Sequence, residues 1–143
     1  MFREIRPSNN SFAAINCWNS LSLENSNRGY YIIAEKSAYE ALALANKIGF
    51  EKGIADAYYH LGISFSRRSK YDKAIEHYLK AIPVYEKLND KDGVSWSVML
   101  IAVVDYYLAN KEKAEKGYLR SLAIFEETKN RISLAHLNNS AIR

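Results

Sequence analysis

The sequence predicts an all-α solenoid, a stack of antiparallel helix pairs, and three observations carry that prediction. The first is an internal repeat. Lys73-Ala74-x3-Tyr78-Leu79-Lys80-Ala81-Ile82 lies over Lys113-Ala114-x3-Tyr118-Leu119-Arg120-Ser121-Leu122, an offset of 40 residues. Of the fifteen positions from 73 to 87, five are identical at 113–127 and five more are conservative. A fixed period of roughly 20–50 residues marks units that bury their apolar faces only against their neighbours. Second, apolar residues recur at three- and four-residue intervals, one face of a helix. Third, little of the chain alternates with a period of two, so strands are not expected. The 143 residues are 48% apolar with 6 Gly and 2 Pro, which excludes disordered and collagen-like classes.

In chain order, residues 1–12 read as an N-terminal extension and 13–143 as the repeat array. Its units run over about 13–52, 53–92 and 93–130, with a partial unit at 131–143. Unit one keeps Trp18 and Leu21 on one stripe and Ala34, Ala38 and Ala41 on the next. In unit two, Tyr58, Leu61, Gly62 and Phe65 stripe a helix over Ala55–Arg67, and Ser69-Lys70 breaks it. A second stripe follows through Tyr71, Ala74, Ile75, Tyr78, Ala81, Ile82 and Tyr85. Asn89-Asp90-Lys91-Asp92-Gly93 reads as a polar turn in which Gly93 takes the left-handed conformation. Gly62, opposite Ala74 and Ala81, gives two helices room to approach. Pro83 is expected to bend its helix without stopping it, since Val84, Tyr85 and Leu88 continue the stripe. Unit three is apolar on every face from Val98 to Val104.

Tyr58-x2-Leu61-Gly62-x2-Phe65, then Ala74-x3-Tyr78 and Ala81, resembles the tetratricopeptide repeat family, in its longer 40-residue branch. The resemblance covers roughly residues 13–143 and implies a right-handed superhelix of about three and a half repeats. The outer units depart from the pattern. Unit one has Ser22 for the Gly and Asn25 for the aromatic. Unit three has Ala102 for the Gly and Asp105 for the aromatic, leaving open whether Asp105 is exposed or the helix turns to bring Tyr106 inward. Arg131–Arg143 reads as the first helix of a fourth unit, so the sequence is expected to be a piece of a longer protein; alternatively that helix is itself the cap.

A search for reactive chemistry finds little. No glycine spacing builds a phosphate loop, and His60, His77, His136 and Cys17 share no metal-ligand spacing. Asp56 and His60 lie one helical turn apart and read as an ordinary polar pair. Cys17, beside Trp18 on an apolar stripe, reads as a small buried hydrophobe. The expectation is therefore no catalytic residue, no cofactor and no metal. With 20 Lys+Arg against 16 Asp+Glu spread along the chain, nucleic acid is not an expected partner. The longest apolar run has seven residues, Val98–Val104, against roughly 20 for a membrane span. The N-terminus offers only Phe12–Ile15 as an apolar stretch, so a cytoplasmic location is the default.

The family resemblance implies a concave face lined by the first helix of each unit. The residues there are Asn16, Asn19, Leu23 and Asn27, then Asp56, Tyr59, Ile63 and Arg67, then Trp96, Met99, Val103 and Tyr106 or Tyr107. Some members clamp a C-terminal carboxylate with Lys, Arg and Asn on the first helices; the nearest matching places here are Asn19, Leu23, His60, Trp96 and Leu100, with no Lys or Arg, so clamping of that type is not expected. The function this implies is a protein-protein interaction module holding a peptide or helix of a partner. Two further readings stay open. One is a regulatory or sensory segment of a larger signalling protein (a bacterial sensor kinase, nucleotide cyclase or transcription regulator), with a domain of the same protein as ligand. The other is self-association through the C-terminal helix.

Overall fold

The computed structural model describes the backbone of residues 9–141 and the side chains of 10–129. Among the described residues the chain forms six helices and no strand: α1 (Asn9–Arg28), α2 (Tyr31–Ile48), α3 (Glu51–Arg67), α4 (Tyr71–Lys87), α5 (Lys91–Tyr107) and α6 (Lys111–Ala141). The turns between them are one device used five times. Gly29, Gly49, Ser69, Asn89 and Ala109, spaced by 20 residues, all have positive φ. The N–H one residue further on reaches back five residues: Tyr30 to Asn25, Phe50 to Ala45, Lys70 to Phe65, Asp90 to Tyr85 and Asn110 to Asp105, at 2.8–2.9 Å. This is a Schellman closure, which satisfies carbonyls that the helix end leaves open. The next helix starts at once, because the carbonyls of Tyr30, Phe50, Lys70, Asp90 and Asn110 accept from the residue four ahead. Where the left-handed residue is not glycine, at Ser69, Asn89 and Ala109, it costs about 1 kcal/mol.

Each helix packs on the next in sequence, and α1 also packs directly on α3. Small residues fill the seams: Ala34, Ala38, Ala41 and Ala45 of α2, Ala55 and Ala57 of α3, and Ala74 and Ala81 of α4 are fully buried. Larger side chains pack around that spine, with Leu61, Phe65, Tyr78 and Val104 in one cluster and Ile82, Tyr85, Val94 and Val98 in the next. As expected, Gly62 makes room: a Cβ there would lie 2.5 Å from the Tyr78 ring. Pro83 sits inside α4, which continues past it to Lys87.

Several expectations are corrected. α1 begins at Asn9, so the extension reaches no further than residue 8. The turn expected before residue 131 does not form: α6 runs unbroken through Ala141, and the polar run 126–131 carries no glycine to end the helix. Residues 142 and 143 lie outside the described residues, as do the side chains of the last segment, including His136. Gly93 is not the left-handed residue of its turn. Asn89 is, while Gly93 lies in the first turn of α5, where a Cβ would meet the Tyr85 ring at 2.5 Å. Its lack of a side chain serves approach, not backbone conformation. Cys17 is exposed, because α1 turns Ile15, Asn19, Ser22 and Ser26 inward instead. Asp105 is 9% exposed and Tyr106 60%, so α5 keeps the 40-residue register and holds the carboxylate where unit two has Phe65.

Candidate functional site: the furrow between α3 and α5

The neighbouring first helices are joined in two different ways. Between α1 and α3 the seam is closed. Gly53 lies against Ile15, where a Cβ would stand 2.6 Å from the Ile15 Cγ2, and Asn19 donates from Nδ2 to the Gly53 carbonyl at 3.3 Å. The backbones of α3 and α5 stay further apart and meet through side chains, among them Tyr59, Ile63, Leu100 and Ile101. A furrow opens there as two adjoining hollows of about 510 and 620 Å³. The first is lined by Lys52, Asp56, Tyr59, His60, Tyr85, Asp90, Asp92, Gly93 and Trp96. The second continues along Ile63, Ser66, Arg67, Leu100, Val103 and Tyr107, with Tyr71 and Tyr78 from α4. Tyr59 and Trp96 belong to both.

The expected concave row is thus partly assembled. Asp56, Tyr59, Ile63, Arg67, Trp96 and Val103 line the furrow. Asn16, Leu23 and Asn27 are on the surface of α1, and Asn27 accepts from the Arg67 guanidinium at 3.1 Å. Three residues are corrected. Asn19, 4% exposed, is buried in the α1–α3 seam and is not a surface residue. Met99 is half-buried off the lining, and Leu100 takes its place. Tyr106 is not part of the lining, whereas Tyr107 lines the furrow and stacks on Tyr71 with centroids 5.9 Å apart and planes at 9°. The last two corrections have one cause. The furrow follows the i, i+4, i+7, i+11 stripe Trp96, Leu100, Val103, Tyr107, one of two neighbouring stripes that a helix with apolar residues all round offers equally.

Sequence reasoning placed Asp56 but missed its partners at the polar end of the furrow, because these come from different helices and turns. Lys52 reaches Asp56 and Asp90, both at 3.1 Å. Burial alone would lower its pKa, but the two carboxylates outweigh that and leave it raised. The Tyr85 hydroxyl donates to Asp56 at 2.6 Å, and burial followed by the Asp56 charge pushes this phenol far up. Asp90 also accepts from the Gly93 N–H at 3.0 Å, capping α5. Asp56 is therefore paired with Lys52 and Tyr85. Burial holds the neighbouring imidazole of His60 down at about 4, against the opposing pull of Asp56. Among the described residues no group of His, Cys, Asp and Glu is arranged to hold a metal ion. No described helix is long and apolar enough to cross a membrane.

An array of similar helix hairpins with a furrow between the first helices α3 and α5 defines the class: a helical-repeat scaffold for protein interaction. The tetratricopeptide repeat family model matches residues 27–87 and again 53–127. The chain belongs to that family. Protein HGV2 of Halocynthia roretzi is 33% identical over 66 residues, 46% of this chain and 11% of that protein, so the chain spans only a small part of its length. Among solved structures, the TPR domain of Arabidopsis FLU superposes with a TM-score of 0.74 at 21% identity, covering 82% of this chain and 98% of that one. Aspartyl phosphate phosphatase F from Bacillus subtilis gives 0.77 at 19% identity, covering 92% of this chain and 34% of that one. At these identities the two structures speak for the fold.

Proposed function

We propose that this chain is a non-catalytic binding module whose furrow between α3 and α5 holds a short segment of a protein partner. The observation that carries this is the pair Tyr59 and Trp96. They join the two hollows, and Trp96 is 47% exposed, although it already rests edge-on against Phe125. A large aromatic held in place by a neighbour but still open to solvent binds at little entropic cost, as interface anchors do. The test is partner capture from the source cell by wild type, Trp96→Ala and Tyr59→Ala, with thermal unfolding of all three. A partner retained by wild type and lost by folded variants supports the reading. Equal retention sinks it, and so does unfolding of both variants, which would make the two residues core.

A second reading concerns the outer side of α6, where Tyr118, Leu119 and Leu122 are exposed. Such a surface supports self-association, and a mass in solution that falls on dilution is the outcome it requires. HGV2 and phosphatase F, each much longer than its matched part, support a third use, in which the array serves neighbouring domains and its ligand is intramolecular.

A further inference from the structure

The two ends of the furrow carry opposite charge. At the end formed by the N-terminal turns of α3 and α5, Asp56, Asp90 and Asp92 face one cation, Lys52. Lys52 is shared between Asp56 and Asp90, and Asp92 has no ion-pair partner among the described residues. The Nδ1 of His60, in the same hollow, is buried without a hydrogen-bond partner. At the other end Arg67 is the one charged residue of the lining. Its guanidinium donates to the neutral side chain of Asn27, and it has no ion-pair partner among the described residues. The adjacent Arg68, by contrast, is neutralised by Glu35. Between the ends the lining is apolar and aromatic: Tyr59, Ile63, Trp96, Leu100 and Val103.

We infer that the furrow selects an extended peptide with a basic residue at one end, an acidic residue at the other and apolar side chains between. This rests on the reading of the furrow as a peptide site. The ruler is α3: from Asp56 to Arg67 is eleven helical steps, about 16 Å. An extended segment crosses that distance in about five residues. The partner's basic side chain lies against the unpaired Asp92 and over the Trp96 face, where charge and ring quadrupole act together. Its carboxylate meets Arg67. Matching opposite charge at both ends also rejects segments of uniform charge, since each wrong end brings like charges together.

The test uses four capped hexapeptides sharing a Leu-Phe-Ala-Leu centre. Their outer residues are Lys then Glu, Glu then Lys, Lys at both ends, or Glu at both ends. Binding is followed by the Trp96 indole resonance. One of the two mixed peptides is expected to bind about tenfold more tightly than either uniform one, roughly threefold from the attraction gained and threefold from the like-charge repulsion removed at the one end that differs, with the preference shrinking as salt rises. Arg67→Glu, at an exposed position, is expected to transfer the preference to the peptide with Lys at both ends. If all four move Trp96 with equal affinity, the charge selection is overturned and the furrow reading stands. If none moves it, the furrow reading itself fails. Retention of the mixed-peptide preference by Arg67→Glu also overturns the assignment of the basic end.

Discussion

Units two and three are the same helix pair built twice, and the places where they differ are informative. In unit two the room between the helices lies on the first of them. Gly62 faces the Tyr78 ring, which lies flat in the seam with 1% of its surface exposed. Forty residues later Ala102 stands for Gly62, and Gly117 stands for His77 on the second helix. A Cβ on Gly117 would lie 2.7 Å from that of Ala102. The room has changed sides, and the ring has lost its place: Tyr118, the counterpart of Tyr78, is 39% exposed. What the repeat preserves is the close approach of two helices, and either helix can supply the missing side chain.

The largest expected effect tests that difference directly. Tyr78→Ala empties the centre of a cluster containing Ala38, Leu61, Phe65 and Val104 and is expected to cost about 3–5 kcal/mol. Tyr118→Ala, the same substitution one unit on, is expected to cost under about 1 kcal/mol. Chemical denaturation of both variants measures the contrast. Similar losses would mean that Tyr118 is packed as its counterpart is, and that the exchange of Gly62 for Gly117 is without consequence.

Much of this was legible in the sequence, and the rest was hidden for physical reasons. The helix pairs follow from stripes at three- and four-residue spacing, and the role of Gly62 from its place opposite Ala74. The turns were harder to read, since Ser69, Asn89 and Ala109 adopt positive φ without being glycine, while Gly93 has its eye-catching position for another purpose. In the furrow, Asp56, Tyr59 and Trp96 could be placed because α3 and α5 have distinct polar faces near their starts. Further along, α5 is apolar on all sides, and periodicity cannot choose Leu100 over Met99 or Tyr107 over Tyr106. The Lys52–Asp90 pair joins residues 38 apart, a contact that only the stacking of the units creates.

A second difference is at the position of His60, whose counterpart in unit three is Leu100. Burial lowers the His60 pKa to about 4; Asp56 pulls it up and Lys52 pushes it down. The unfolded chain takes up this proton near pH 6.5 and the folded one near 4, so the unfolded state binds more protons between those values. Stability is therefore full above pH 6.5 and falls as the pH drops toward 4, by about 3 kcal/mol in total. His60→Leu, which copies unit three, is expected to flatten the unfolding free energy over that window. A wild-type curve with no slope between pH 6.5 and 4 would show that the imidazole is protonated in the folded protein.

The smallest effect is also the most diagnostic of how a repeat drifts. Ala55 and Ala81 meet in the seam of unit two, both fully buried. Their counterparts, Ser95 and Ser121, are buried too, and each hydroxyl donates to the other's backbone carbonyl at 3.0 Å. The hydroxyls also approach each other at 3.2 Å. An alanine pair and a serine pair therefore fill the same place by different means. Ser95→Ala or Ser121→Ala alone removes one of the two reciprocal bonds, at an expected cost of about 1 kcal/mol. Each bond ends on a backbone carbonyl that survives substitution of the other serine, so the double variant is expected to lose about 2 kcal/mol, close to the sum of the two single losses. Only the 3.2 Å contact between the hydroxyls links the two side chains directly, and a coupling above about 1 kcal/mol in the double-mutant cycle would mean that the serines act as one unit and not as two independent substitutions.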